Sequence, residues 1–152
     1  CLVCHPTEMN AMDTSIERCL SECKTIAVVG LSPKAHRDSY RVSKYMQAQG
    51  YHIVPVNPNA DEVLGERCYA TLSEAAQHAR IDMVNCFRNA EDIPPIAQEA
   101  VAIGAKALWL QLGIAHLEAC AHAEKAGLTA VQDKCLMVEH AQWLRHIKRR
   151  KE

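Results

Sequence analysis

The sequence predicts an α/β fold with a parallel sheet and helices on both faces. Three observations lead to this prediction. Five short apolar runs, of the kind found in strands buried on both faces, are spread along the 152 residues. Segments with apolar residues at helical spacing separate these runs. Because alternating strands and helices connect through right-handed crossovers, the natural topology is a doubly wound, Rossmann-like, five-stranded parallel sheet.

Each predicted element has its own signal in the sequence. The strands are the apolar runs at residues 25–29, 52–56, 82–87, 106–110 and 128–132. Two Thr-x-x-Glu patterns match a capping box and predict helices that begin at Thr14 and at Thr71, the second ending near residue 79. Glycines stop three further helices: Gly50, Gly104 and Gly127. The last helix carries an apolar stripe at positions 137, 141, 144 and 147.

Composition limits the classes of function. About half of the residues are apolar (49%), enough for one domain with a sizeable core. A net charge of −1 argues against a general nucleic-acid or membrane-surface binder. With no bilayer-length apolar run and no signal-type N-terminus, a cytoplasmic location is expected, where the eight cysteines stay reduced. Residues 14–147 are expected to form the domain, between a cysteine-containing extension (1–13) and a basic tail (148–152).

The loop after the first strand has the chemistry of a phosphate site. The strand ends in Gly30, and Ser32, Pro33, Lys34 and Arg37 follow before the next helix begins near residue 40. Such a strand–loop–helix turn points backbone N–H groups and the positive end of a helix dipole at one spot. Lysine and arginine supply charge for phosphate, and a small serine permits a close approach of the backbone. A phosphate-binding loop is therefore predicted here.

The same region disfavours an ordinary NAD site. A dinucleotide fingerprint needs three glycines, and this loop has one. NAD sites also place an Asp or Glu after the second strand to hold the ribose hydroxyls, whereas this strand ends in Asn57 and Pro58. An NAD(P)-linked oxidoreductase or redox sensor on this fold is kept as an alternative, but the sequence lacks the acidic residue that would hold the ribose.

The other loops at the carboxyl edge of the sheet carry further motifs. In order along the chain the motifs are VVGLSPK (28–34), VPVNP (54–58), FR (87–88) with PP (94–95), WLQLG (109–113) and DKC (133–135). Together they resemble the small CoA-binding proteins that are similar to the N-terminal domain of the succinyl-CoA synthetase α subunit. The resemblance spans residues 14–147. It implies binding of CoA or an acyl-CoA but not ligation, because the synthetase's phosphorylated histidine lies in a second domain.

The resemblance also implies where the ligand lies. The Gly30–Arg37 loop would hold the CoA phosphates, Asn57 and Pro58 would line the nucleotide crevice, and Phe87 and Arg88 would flank the adenosine portion. Gln111 and Gly113 would border the pantetheine path.

Two more contacts follow from residue type and position alone. Apolar side chains commonly sandwich an adenine, and Ile93 is available for this together with Phe87 and Pro94. Cys135 follows the last strand, at the edge where a pantetheine arm would emerge.

Other constellations remain open as alternatives. The segment Cys1–His5 matches the C-x-x-C-H pattern of c-type haem attachment, and Cys1 and Cys4 with Cys19 and Cys23 approach a zinc-ribbon spacing. Cys135 and His140 are close enough in sequence to form an activated thiol. No metal site and no catalytic residue is assigned from the sequence, and an interaction module that works through an unknown protein partner is the third class of function.

Overall fold

A computed structural model describes residues 13–151 and contains a five-stranded parallel sheet. Its strands are β1 (Thr25–Val29), β2 (His52–Val56), β5 (Met83–Cys86), β6 (Ala107–Leu110) and β7 (Thr129–Val131). They lie in the order β2-β1-β5-β6-β7. The predicted doubly wound α/β fold is thereby confirmed. The chain first builds outward to β2 and then returns past β1 to β5, so the strand order reverses between β1 and β5. Ligands of such sheets bind outside the carboxyl ends of the strands at this reversal.

Six α-helices of the described residues cover the two faces of the sheet. They are α1 (Thr14–Glu22), α2 (Asp38–Ala48), α3 (Leu72–Ala76), α4 (Ile93–Ala102), α5 (Leu117–Lys125) and α6 (Leu136–Lys151). Buried residues of α3, α4 and α5 form one core with one face of the sheet, and those of α1, α2 and α6 form a second core with the other. The central strands β5 and β6 are buried at every position, which explains why their sequences are apolar apart from Asn85.

Three local features differ from the sequence-based expectation. Asp13 rather than Thr14 caps α1, because the Asp13 carboxylate accepts a hydrogen bond from the Ser15 amide at 2.8 Å. A short hairpin of β3 (Glu62–Val63) and β4 (Glu66–Arg67) follows β2, where no strand was predicted. Helix α3 ends at Ala76, while its predicted cap, the Thr71 hydroxyl, accepts from the Glu74 amide as expected.

Two further observations bear on the expectations from composition. None of the helices in residues 13–151 combines the length and apolar character needed to cross a membrane. Helix α6 continues to residue 151, so the basic residues at its end are helical. The cysteine-containing extension, apart from residue 13, lies outside the described residues.

Candidate functional site

Gly30 forms a thin wall at the reversal point between β1 and β5. Its backbone φ is +89°, and its N–H donates to the Val56 carbonyl at 2.8 Å. A Cβ atom at this position would lie 2.9 Å from the carbonyl oxygen of Phe87 and 3.1 Å from Cδ of Arg88. Only glycine therefore lets the loop after β1 pack against the loop after β5. A cleft opens on each side of this wall.

The first opening, here named the phosphate-loop cleft, has a volume of about 480 Å³. Its lining residues are Gly30, Ser32, His36, Arg37, Asp38, Ser39 and Phe87. Arg37 precedes α2 directly and is exposed. Among the described residues it has no ion-pair partner, whereas Arg41, one turn further on, pairs with Asp38. The Arg37 guanidinium is thus available to an anion in this cleft.

Two hydrogen bonds between residues close in sequence hold the loop of this cleft in shape. The Ser32 amide donates to the hydroxyl of the buried Ser39 at 3.0 Å, and the Ser32 hydroxyl accepts from the Lys34 amide at 3.1 Å. The loop therefore closes on itself and on the first turn of α2. Pro33 and Lys34 are exposed on its outer side and do not line the cleft.

The second opening, here named the Pro58 cleft, has a volume of about 280 Å³. It is lined by Val29, Gly30, Val56, Pro58, Ala70, Thr71, Leu72, Arg88, Asp92, Pro95, Ile96 and Glu99. Most of these side chains are apolar, and its charged groups are largely paired. Arg88 Nε lies 3.6 Å from Asp92 Oδ2, and Glu99 Oε2 accepts from the Ser73 hydroxyl at 2.8 Å. The Pro58 cleft thus offers an apolar surface with a polar rim.

Asn57 joins two loops instead of facing either cleft. Its Nδ2 donates to the Leu31 carbonyl at 2.9 Å, and its Oδ1 accepts from the Asn59 amide at 2.9 Å. The side chain therefore holds the loop after β1 against the loop after β2. Its neighbour Pro58 is exposed and lines the second cleft.

Ile93 does not lie at the surface of the protein. It is fully buried in the first core at the start of α4 and lines neither cleft, which corrects the expectation that it flanks an adenine. The physical reason is its place on the apolar stripe of α4, which faces the sheet. Phe87, its predicted companion, does line the phosphate-loop cleft.

The predicted pantetheine residues lie around the carboxyl end of β6. Gln111 is buried, and its Oε1 accepts from the Leu136 amide at 3.3 Å, which fixes the start of α6. The exposed Gly113 donates its N–H to Asp133 Oδ1 at 2.8 Å, and Cys135 is half-buried. These residues tie the last two loops together, and none of them lines the two clefts.

Several residues of this edge were missed in the sequence. Asn85, on the central strand β5, is buried, and its Nδ2 lies 3.5 Å from Gln111 Oε1, whereas its Oδ1 has no hydrogen-bond partner within residues 13–151. An amide within an apolar strand is a visible signal for this position. Asp92 and Glu99 gave no such signal, because surface carboxylates on helices are common.

The described cysteines are free thiols, and five of the six are buried. Burial raises the pKa of Cys19 and of Cys23 to about 12, so both are protonated at neutral pH. Within residues 13–151, no three His, Cys, Asp or Glu side chains are grouped so that they could hold a metal ion. Cys1 and Cys4, on which the haem and zinc alternatives depend, lie outside the described residues.

An activated thiol of Cys135 and His140 was an alternative that the sequence left open. The Nδ1 atom of His140 instead lies 3.0 Å from the hydroxyl of Tyr45, on α2.

Comparison with known proteins places the chain in a family. Residues 24–141 match the model of a CoA binding domain. The chain is 41% identical over 132 residues to an uncharacterized protein, YneT, of Bacillus subtilis, covering 87% of this chain and 96% of that one. A hypothetical protein from Pyrococcus horikoshii superposes with a TM-score of 0.82 at 36% identity, over 88% of this chain and 93% of that one.

A more distant match concerns a much longer protein. The ADP-forming acetate–CoA ligase II of Archaeoglobus fulgidus is 28% identical over 85 residues, which are 55% of this chain and 12% of the ligase. The resemblance suggested by the sequence motifs is thereby confirmed, and the chain belongs to the CoA-binding domain family.

Proposed function

We propose that this protein binds CoA or an acyl-CoA along the carboxyl edge of its sheet, across the wall formed by Gly30. The observation that carries this proposal is the meeting of two unlike clefts at that wall. The phosphate-loop cleft offers the Arg37 guanidinium and the N-terminus of α2, while the Pro58 cleft offers apolar surface. CoA combines the same two chemistries, since three charged phosphate groups adjoin a flat, largely apolar base.

The charges assign the parts of the ligand to the clefts. Phosphates are best held by arginine and by backbone N–H groups at a helix N-terminus, which favours the phosphate-loop cleft. Ser32 and Phe87 adjoin that position, and Lys34 adds long-range attraction from the outer side of the loop. The adenine is assigned to the Pro58 cleft, where Pro58 and the stem of Arg88 offer a surface for stacking.

The pantetheine arm is assigned to the loops around Gln111, Gly113 and Cys135. These loops continue the same carboxyl edge beyond β5, on the side of β6. The proposed function is binding, and no reaction is assigned to it. We place it in the reducing cytoplasm, in keeping with the free thiols of the described residues.

Isothermal titration with CoA, dephospho-CoA and NAD tests this function. CoA is expected to bind at least about tenfold more tightly than NAD, because the position after β2 that holds the ribose in NAD sites is Asn57 here, and its amide is committed to the Leu31 carbonyl. Dephospho-CoA, which lacks the 3′-phosphate, is expected to lie between them. A tighter dissociation constant for NAD than for CoA would contradict the proposal.

A pair of arginine variants locates the phosphates. Arg37→Ala is expected to weaken CoA binding by about 1.5–3 kcal/mol, the range for charged hydrogen bonds, with little effect on the free energy of unfolding. Arg80→Ala is the matched control, since Arg80 is equally exposed but precedes β5 at the opposite end of the sheet. Equal CoA affinities for the two variants would move the phosphate site away from the loop after β1.

A further inference from the structure

A buried histidine joins α2 to α6 at the end of the sheet opposite to the two clefts. His140 of α6 is 2% exposed, and its Nδ1 lies 3.0 Å from the hydroxyl of Tyr45 on α2. Three aromatic rings surround the imidazole edge-on, with centroid distances of 5.4 Å to Tyr45, 5.5 Å to Tyr51 and 5.7 Å to Trp143. One imidazole thus connects two helices from opposite parts of the chain.

Among residues 13–151, no hydrogen bond or ion pair joins His140 to a carboxylate. The titratable and charged groups on the elements around it are Tyr45 of α2, Tyr51 before β2, Cys23 after α1, Lys24 before β1, and Glu139 and Arg145 of α6. Glu139 adjoins His140 in the chain, and the other groups are neutral or cationic at neutral pH. Burial raises the pKa of Tyr51 to about 12, and burial also raises the pKa of Tyr45, so both phenols stay protonated.

Solvent nevertheless reaches this histidine. A pocket of about 200 Å³ opens beside it at the amino end of the sheet. Its lining residues are Lys24, Gln49, Gly50, Tyr51, His140, Trp143, Leu144 and Ile147. A proton can therefore reach the imidazole without unfolding of the core.

We propose that the Tyr45–His140 contact is a pH-sensitive lock between α2 and α6, closed when the imidazole is neutral and loosened when a proton from solvent makes it cationic. The two helices it joins both begin at the opposite edge. Helix α2 starts directly after Arg37, and α6 starts at Leu136, whose amide is held by Gln111. Loosening the lock frees the two helices that position the phosphate loop and the last loop. This effect on the ligand rests on the proposed CoA binding, whereas the lock itself does not.

The direction of the pH effect follows from burial. Desolvation lowers the pKa of His140 below its ordinary value near 6.5, because water no longer solvates the charged ring. A histidine whose pKa is lowered by folding stabilises the native state fully above pH 6.5. That contribution is lost as the pH falls below 6.5 and through the native pKa. The ratio of folded to unfolded protein then falls by about tenfold for each unit by which folding lowers the pKa.

The experiment follows the imidazole and the stability together. NMR titration of the His140 ring in the native protein is expected to give a midpoint below 6.5. Urea unfolding between pH 7.5 and 5 is expected to show a fall in midpoint that His140→Gln largely removes. His122→Gln, which removes an exposed histidine from α5, should keep the fall. Amide exchange in α2 and α6 should accelerate with falling pH more than exchange in α5.

Two results would overturn the lock. The first is an NMR titration midpoint of the His140 ring at or above pH 6.5 in the native protein. The second is an unchanged pH dependence of unfolding in His140→Gln. The CoA dissociation constants at pH 6 and pH 7.5 test the link to the ligand. The ratio of the constant at pH 6 to the constant at pH 7.5 should be larger for the native protein than for His140→Gln. Absence of CoA binding at both pH values would contradict the proposed function alone, while amide exchange still decides the lock.

Discussion

The two clefts beside Gly30 are held in shape by different kinds of interaction. The phosphate-loop cleft is made of a loop and a helix N-terminus, and its shape depends on hydrogen bonds such as that of Ser32 to Ser39. The Pro58 cleft is made of side chains on two helices and the sheet, and its floor is part of the first core. The first is therefore held by a few polar contacts, and the second by packing.

This difference teaches where each cleft is vulnerable. Loss of one hydrogen bond in the phosphate loop affects the position of several backbone groups at once, because Leu31 is the one residue of 30–37 that is buried in a core. The Pro58 cleft loses shape only if the helices that form it move. Within residues 13–151, Gly30 is the residue that lines both clefts, so a change there disturbs both.

The largest effect on stability is expected from adding a side chain at Gly30, which lines both clefts. Gly30→Ala combines an unfavourable positive φ with a Cβ 2.9 Å from the Phe87 carbonyl oxygen, so the free energy of unfolding should fall by about 2–4 kcal/mol. Gly65→Ala is the control, because Gly65 has φ +76° but open space around it. Its loss should stay at about 1–2 kcal/mol. Urea denaturation measures both, and equal losses would show that the approach of the two loops is not tight.

A smaller effect is expected beneath the phosphate-loop cleft alone. Asn57→Ala removes the donor to the Leu31 carbonyl and the acceptor for the Asn59 amide, which should cost about 1–2 kcal/mol of stability. CoA affinity should fall as well, since the loop after β1 loses its tie. Asn59→Ala keeps both bonds of Asn57 and should change stability by less than about 0.5 kcal/mol. Thermal unfolding that ranks the two variants in the reverse order would contradict the assigned role of Asn57.

The smallest effect is expected in the Pro58 cleft. Thr71→Ala deletes the cap of α3 and should lower the free energy of unfolding by about 1 kcal/mol, whereas Thr71→Ser keeps the hydroxyl. The ratio of CoA to dephospho-CoA affinity should not change in either variant, because the 3′-phosphate is assigned to the other cleft. A change in that ratio, measured by calorimetry, would mean that the two clefts do not divide the ligand as proposed.

The fold could be predicted from the sequence because its signals are local. The strands are apolar runs, and the starts of most helices carry caps or follow turns, so they are correct to within a few residues. The hairpin of β3 and β4 was missed because each strand has two residues and no apolar alternation. Strand β4 packs beside β2, which is information that a local pattern does not contain.

The site was predictable to a lesser degree. Residue type in the loop after β1 indicated Gly30 and Arg37, and the family resemblance indicated Pro58 and Phe87; all four line a cleft. The direction of a side chain was not predictable, as Asn57 illustrates. An amide in a turn can point to a ligand or to a neighbouring loop, and only the distance to the Leu31 carbonyl decides between them. For Ile93, the apolar stripe of its helix was the stronger signal.

The position of Asn57 also constrains how this chain could change its ligand over evolution. An acid at this strand end is the ordinary requirement for holding the ribose of NAD. In this protein the same position supplies a donor to a backbone carbonyl, which a carboxylate cannot do. A single substitution to Asp would therefore untie the loop at the moment it created the new ligand. Acquiring an NAD site on this fold therefore requires a second, compensating substitution. The sequence with Asp alone at this position would have a lower free energy of unfolding.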